Sequence, residues 1–127
     1  MGQIIVEGKA PAQAQAFIDF LTSRHPVDFA VKFQFRAVEQ TRHSGIKADG
    51  FFWPTDTGNA LIRIASKHNG LQPVLDRIYR TIAHEYYHAL QRLRDRKEYR
   101  GNVEELEASR FGAQQLQFAK EAGVIAS

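Results

Sequence analysis

Residues 84–88 read His-Glu-Tyr-Tyr-His and carry the side chains of this sequence that are best suited to hold a metal ion. On a helix, two histidines four residues apart project to nearly the same side, because 3.6 residues per turn leave them about 40° apart. Their imidazoles can therefore bind one Zn²⁺ without bending the backbone. This spacing is typical of sites in which His84 and His88 bind the metal and Glu85 is the general base toward a metal-activated water.

The motif lies within a helix that is predicted from Gln72 to Arg94. Apolar residues recur in it at three- and four-residue steps, at Val74, Leu75, Ile78, Ile82, Tyr86, Ala89 and Leu93. On a helical wheel, His84, Glu85 and His88 fall around the margin of this apolar arc, where a metal site at the rim of a core needs them. The competing interpretation is a pair of surface histidines on an amphipathic helix.

A third ligand is expected from a final helix, predicted from the N-cap Asn102 to about Glu121. Its small and apolar residues, which would let it pack closely against the metal helix, cluster within roughly 80° on a wheel: Ala108, Gly112, Leu116 and Ala119. Glu105 falls inside this cluster, whereas Glu104 lies about 40° and Glu107 about 100° outside its edge. Glu105 is therefore the predicted ligand and Glu104 the alternative. A first-turn position near the positive end of the helix dipole otherwise explains Glu104 and Glu107.

The order of these motifs resembles that of a known enzyme family. His84–His88 followed by Glu105-Leu106-Glu107-Ala108 is similar to the HExxH…ExxA pattern of gluzincin metallopeptidases, in particular the ImmA/IrrE-like and minimal gluzincin groups. The resemblance spans roughly residues 60–116, and Ser109 stands where the family frequently has Asn. It implies a zinc metallopeptidase that acts on a peptide or protein substrate. Its Zn²⁺ would be bound by His84, His88 and Glu105, with Glu85 as the catalytic base.

The implied fold is α+β, a small zincin-like domain with a three- to four-stranded sheet, an N-terminal helix, the HExxH helix and a C-terminal glutamate-bearing helix. The hydrophobic pattern agrees, with strands predicted at Gln3–Val6, Phe29–Val38, Phe51–Trp53 and Ala60–Ser66 and a helix from Pro11 to about Arg24. The segment Thr41–Gly50 has turn formers and no periodicity, which indicates an exposed loop. The resemblance makes Ala60–Ser66 the edge strand beside the cleft.

Three further side chains are candidates for binding substrate. An extended peptide could add to an edge strand at Ala60–Ser66, and Arg63 would then be able to reach a substrate side chain. Tyr99 and His68 are candidates for stabilising the oxyanion, because similar enzymes use a Tyr or a His near the cleft. Each has a simpler interpretation: Arg63 as a solvated strand residue, Tyr99 as packing of a connection and His68 as the cap of a turn.

Composition limits the remaining possibilities. A chain of 127 residues without cysteine predicts one domain over residues 1–127 and excludes disulfides and thiolate zinc sites. No apolar run is long enough to span a membrane, and the first residues do not resemble a signal peptide, so a cytoplasmic protein without membrane contact is expected. The net charge of +3 is mild. The oligomeric state is left open by the sequence.

Two other classes of function stay open. The first is a zinc-binding regulatory or interaction protein of the same fold with little hydrolytic activity, although an intact Glu85 favours an enzyme because a structural site needs only ligands. The second is a nucleic-acid-associated factor that uses the basic cluster Arg92–Arg100. That cluster is interpreted as a solvated helix end with favourable dipole interactions. Neither a pattern of alternating basic and aromatic residues nor a known nucleic-acid motif is evident, so nucleic acid is not the expected partner.

Overall fold

A computed structural model describes residues 2–126, which form a small α+β domain. In chain order the elements are β1 (Ile4–Gly8), α1 (Ala14–Arg24), β2 (Val31–Arg36), β3 (Thr41–His43), β4 (Ile46–Ala48), β5 (Gly50–Pro54), β6 (Ala60–Ala65), α2 (Gln72–Ala89) and α3 (Asn102–Glu121). A π-helical turn, Leu90–Arg94, continues α2 at its C-terminal end. The predicted helix from Gln72 to Arg94 is thus present, but its last turn is wider than an α-helix. No helix within residues 2–126 combines the length and apolar character needed to cross a bilayer.

The main sheet has the strand order β1-β2-β6-β5. Strands β1, β2 and β6 are parallel, and β5 runs antiparallel to β6. The predicted strands Phe51–Trp53 and Ala60–Ser66 are present as β5 and β6, but the prediction that Ala60–Ser66 forms the edge is wrong. Strand β6 lies between β2 and β5, because the chain passes from β2 through β3 and β4 to the far edge at β5 and then turns back to pair with β2. The edge strands are β1 and β5, and β5 is the one next to β6.

The segment predicted as an exposed loop contains a second, two-stranded sheet. Strands β3 and β4 pair antiparallel, with Arg42 opposite Lys47 and His43 opposite Ile46. Ser44 and Gly45 connect them with φ angles of 51° and 81°. A two-residue turn with two positive φ angles matches the right-handed twist of a hairpin. The prediction failed because three-residue strands are too short to show a period of two.

The helices cover one face of the main sheet. Alternate strand residues point toward them and are buried, which is what the period of two in a strand requires; they include Val31, Phe33, Phe35, Ile62 and Ile64. The predicted apolar arc of α2 meets this face: Ile78, Ile82, Tyr86 and Ala89 are buried, with Val74, Leu75 and Leu93 packed at the margin. The intervening strand residues, among them Arg63, therefore point to the opposite face of the sheet.

Helix α3 approaches α2 so closely that backbone meets backbone. A Cβ atom at Gly112 would lie 2.7 Å from the carbonyl oxygen of Arg80. Ala108 and Ala119 are also fully buried. The small residues of α3 therefore allow the close packing that was predicted from them, and they bring the first turns of α3 to the C-terminal turns of α2.

This contact predicts the sign of a substitution. In an exposed helix, Gly→Ala stabilises by about 1 kcal/mol because alanine is the better helix former. We expect Gly112→Ala instead to lower the free energy of unfolding, since its Cβ would force the two backbones apart. Urea unfolding monitored by circular dichroism measures the change. Ala113→Gly, at an exposed neighbouring position, reports the propensity effect alone. A stabilised Gly112→Ala protein would contradict the close contact.

Candidate metal centre

His84, His88 and Glu105 bring three potential ligand atoms to one point between α2 and α3. The two Nε2 atoms are 3.3 Å apart. Glu105 places Oε1 3.1 Å from His84 Nε2 and Oε2 3.2 Å from His88 Nε2. In a tetrahedral zinc site with bonds of about 2.0–2.1 Å, neighbouring ligand atoms are about 3.3–3.4 Å apart. The separations of these atoms are therefore close to those that one zinc ion requires.

The orientation of His88 is fixed from behind by Glu104. His88 Nδ1 lies 2.8 Å from Glu104 Oε2, and the same oxygen accepts a hydrogen bond of 2.8 Å from Arg92. The Glu104 side chain has no solvent exposure and pairs with the Arg92 guanidinium, so we assign it as a carboxylate that accepts a hydrogen bond from His88 Nδ1–H. The lone pair of a neutral His88 is then on Nε2, on the side of His84 and Glu105. A carboxylate behind a histidine in this way is a common support for metal ligands.

His84 has a weaker support of the same kind. Its Nδ1 lies 3.4 Å from the hydroxyl oxygen of Ser109, one turn beyond Glu105 on α3. Burial and the nearby His88 lower the pKa of His84, with Glu105 acting in the opposite direction. A neutral imidazole is the form that binds metal. Helix α3 therefore supplies one carboxylate to the centre and a contact to the distal nitrogen of each histidine.

When His88 and His84 are neutral, hydrogen-bond acceptors of the centre face one another. With His88 Nδ1–H donated to Glu104, both His88 Nε2 and Glu105 Oε2 present lone pairs across 3.2 Å. Two acceptors at this separation repel each other unless a positive charge lies between them. A proton on His88 or a divalent cation bound by all three groups would supply that charge. Desolvation acts to raise the pKa of Glu105, but His88, Tyr99 and His84 outweigh it and hold that pKa below its usual value.

Glu85 lies beside the three ligand atoms and is not one of them. Its Oε2 is 3.8 Å from His84 Nε2, and only 8% of the residue is exposed. Burial, together with the charge of Glu105, raises the pKa of Glu85 to about 8. A divalent cation at the centre would act in the opposite direction and favour the ionised carboxylate. Glu85 is thus a buried acid whose protonation depends on the charge next to it.

The centre opens into a surface cavity of about 490 Å³. His84, Glu85, Glu105 and Ser109 form one part of its lining; the rest comes from the β4–β5 junction and the preceding turns of α2, at Ala48, Asp49, Gly50, Arg77, Arg80 and Thr81. The strand that borders the centre is therefore β5, the edge of the sheet. The edge position and Arg80 were both missed from the sequence, because neither strand order nor the direction of one exposed arginine follows from periodicity.

The helical wheel placed Glu105 on the packed face of α3, but the buried glutamate is Glu104. Glu104 has 0% exposure, whereas the Glu105 side chain is 43% exposed at the rim. The buried arc of α3 is wider than its small and apolar residues indicated, because Gln115 is also buried at 2% exposure and extends the arc by helical geometry to Glu104. Glu104 therefore does more than interact with the helix dipole. The position of Glu105 at the rim puts its carboxylate next to both imidazoles, and its role as a ligand stays a prediction.

The three candidate substrate residues have different locations. Arg63 is on the opposite face of the sheet, where its Nε donates to Gln34, so it does not line the cavity of the centre. His68 lines a different surface cavity and accepts a hydrogen bond from the backbone of Gly70, in agreement with the turn-cap interpretation. Tyr99 lies near the centre, with its ring centroid 6.4 Å from that of His88 and the Arg92 guanidinium over its other side.

Comparison of the chain with protein-family models, with curated proteins and with solved structures finds no match. The interpretation of this centre therefore depends on its own geometry.

We expect the protein to bind about one Zn²⁺ per chain and to lose it in His84→Ala, His88→Ala and Glu105→Ala, because each removes a ligand. Glu104→Gln should retain the metal with an affinity lower by about 10- to 100-fold, which is usual when a support behind a ligand is altered. Elemental analysis and competition with a chelator measure both effects. Glu107→Gln is the control, since Glu107 pairs with Arg100. Unchanged zinc affinity in Glu105→Ala would refute the assignment.

Proposed function

We propose that this protein is a zinc-dependent metallopeptidase of the gluzincin type. The observation that carries the proposal is the convergence of His84, His88 and Glu105 on one point, with the Glu85 carboxyl beside them in the same cavity. A purely structural site would need only the ligands. The α+β architecture supports the same proposal, because a mixed sheet with an antiparallel edge strand, the helix of the two histidines and the helix of Glu105 are the parts of a zincin-like domain.

Two imidazoles and one carboxylate form a donor set that suits zinc, and three protein ligands are the number found in catalytic zinc sites. Zn²⁺ bound by these residues would supply a Lewis acid, which polarises a carbonyl and lowers the pKa of water toward neutrality. Glu104 and Ser109 would hold the imidazoles so that their Nε2 atoms stay directed at the ion. Arg92 would hold Glu104 in place behind His88 through their ion pair.

Glu85 is the group placed to move protons. Its carboxylate would take a proton from the water that attacks the peptide carbonyl and pass it to the leaving amine. The low exposure of Glu85 limits competing proton exchange with bulk water. Tyr99 is the remaining candidate for a hydrogen bond to the oxyanion, since His68 and Arg63 lie away from the cavity.

The edge strand β5 is suited to hold an extended substrate. Every second residue along β5 forms backbone hydrogen bonds with β6. At the two ends of this ladder, the Ala65 N–H donates to the Asp49 carbonyl and the Thr55 N–H donates to the Asn59 carbonyl. By this alternation, the N–H and C=O groups of Gly50 and Phe52 point away from β6. An exposed edge can pair with a peptide as an additional strand. Recognition through backbone groups would favour flexible or unfolded segments over a particular side chain.

Gly50 connects this edge to the catalytic group. A Cβ atom at Gly50 would lie 2.7 Å from Thr81 Cγ2 and 3.1 Å from Glu85 Cγ. The absence of a side chain therefore lets the strand run directly beside Glu85. A peptide paired with Gly50 would be next to both the metal ligands and the general base.

The first test is Glu85→Gln. We expect it to keep the zinc content and the circular dichroism spectrum of the wild type but to lose hydrolysis of a library of flexible peptides, because an amide cannot accept the proton. Thr81→Ser, which lines the same cavity without a titratable group, is the control and should stay active. Equal cleavage by wild type and Glu85→Gln would refute the peptidase proposal. Full zinc binding without hydrolysis by either protein would favour the regulatory zinc-binding alternative.

The second test addresses substrate docking on β5. In an extended peptide, successive N–H groups point in opposite directions, so only alternate ones can bond to Gly50 and Phe52. We expect N-methylation at alternate substrate positions to lower kcat/KM by about 2- to 10-fold, the usual net value of one hydrogen bond. Methylation at the intervening positions should have little effect. A loss that does not alternate would show that the substrate does not bind as a strand.

A further inference from the structure

The face of the main sheet that points away from the helices carries basic and aromatic side chains. Residues of three strands contribute to it, with Lys32, Gln34 and Arg36 on β2, Arg63 on β6 and Phe51 and Trp53 on β5. These side chains are exposed or partly exposed, in contrast to the buried residues that alternate with them. The β3–β4 hairpin lies alongside, and its His43 ring contacts the rings of Phe51 and Trp53.

Three arginines line one cavity on this face. Arg36, Arg42 and Arg63, which we call the arginine pocket, surround a space of about 280 Å³; the other lining residues are Val38, Gln40 and Thr41. Among the described residues, no carboxylate is part of the lining. The three guanidinium groups come from β2, β3 and β6, so the fold has brought together charges that are far apart in sequence.

Within residues 2–126, no acidic side chain pairs with the charges of the arginine pocket. None of its three arginines takes part in an ion pair among residues 2–126. Arg63 donates through Nε to Gln34, at 3.2 Å, and Gln34 in turn donates to Glu7. Gln34 thus orients Arg63 without cancelling its charge, and Glu7 is itself 3.9 Å from Lys32. Guanidinium groups gathered without acids are suited to bind phosphate or carboxylate.

An aromatic cluster lies next to the arginine pocket. Phe51 and Trp53 stack with their ring centroids 5.5 Å apart, and the Trp53 indole donates a hydrogen bond of 3.1 Å to His43. The Arg63 guanidinium lies 5.1 Å from the centroid of the Trp53 ring and links the two groups. Planar side chains beside basic ones bind unpaired bases by stacking while the basic groups bind the phosphates.

We infer that this face binds single-stranded nucleic acid, with phosphates in the arginine pocket and bases on His43, Phe51 and Trp53. An acidic peptide would satisfy the arginines but does not carry a planar group on every unit, as a nucleic acid does, so the combination favours nucleic acid. The basic cluster Arg92–Arg100 is not involved. The inference is independent of the proposed peptidase activity, because the two sites use opposite faces of the sheet.

Trp53 is the only tryptophan of the chain and provides an internal probe. We expect an oligothymidylate of about 10 nucleotides, a length within the usual site size for single strands, to quench its fluorescence on binding. Affinity should fall with salt, and the slope of log K against log salt should become less steep by about 0.7 for each phosphate contact that is lost. Arg36→Ala and Arg42→Ala should each produce that change. Arg110→Ala, on the exposed side of α3, should leave the slope unchanged.

A second pair of variants separates stacking from charge. His43→Ala and Phe51→Leu should weaken oligothymidylate binding by about 5- to 100-fold, as expected for the loss of one stacked base, and should leave binding of inorganic polyphosphate unchanged. Circular dichroism of each variant verifies the fold. The inference is overturned if poly-glutamate binds as tightly as the oligonucleotide. It is also overturned if folded Arg36→Ala and Arg42→Ala proteins bind the oligonucleotide with the affinity of the wild type.

Discussion

The close contact between α2 and α3 is the constraint on which the candidate centre depends. His84 and His88 are on one helix and Glu105 is on the other, so their ligand atoms meet only if the helix axes approach closely. The glycine at position 112 makes this approach possible, because even a methyl group there would meet the backbone carbonyl of Arg80. The ionisable side chains of this interface therefore converge only because the side chains packed beside them are small.

The interface also contains a charge that the core must compensate. A carboxylate with no exposure, such as Glu104, is very costly to bury alone, and removal of one partner usually costs several kcal/mol. Arg92 and His88 share one of its oxygens, while Oε1 has no hydrogen-bond partner within residues 2–126. An apolar residue of similar volume would be tolerated at least as well for stability alone. The value of Glu104 to this protein is therefore better sought in the orientation of His88 than in the stability of the fold.

The elements with a long and regular hydrophobic periodicity could be predicted from the sequence. Features that depend on contacts between residues far apart in the chain could not. The stripe of α2 and the alternation in β2 and β6 extend over enough residues to be recognised. The position of β6 inside the sheet depends on whether β5 or β6 pairs with the distant strand β2, and no local pattern records that choice. The burial of Glu104 was not predicted for a related reason. The packed face of α3 was defined by its small and apolar residues, and the buried polar residue Gln115 was left out of it. The aromatic and arginine cluster of the outer face joins residues from β2, β3, β5 and β6, so it has no continuous signal either.

The π-helical turn that ends α2 has a consequence for how this chain can change in evolution. A π turn holds one residue more than an α turn, and in an α-helix each residue advances the chain by about 100°. Deleting one residue of Leu90–Arg94 would therefore convert the π turn to an α turn and leave the direction of the chain after it nearly unchanged. Arg92 donates from this turn to both Glu104 and the backbone of Lys97, so such a deletion keeps these contacts only where an arginine still occupies this point of the helix. A relative with one residue fewer between His88 and Glu104 is thus compatible with the same centre, provided that it retains that arginine.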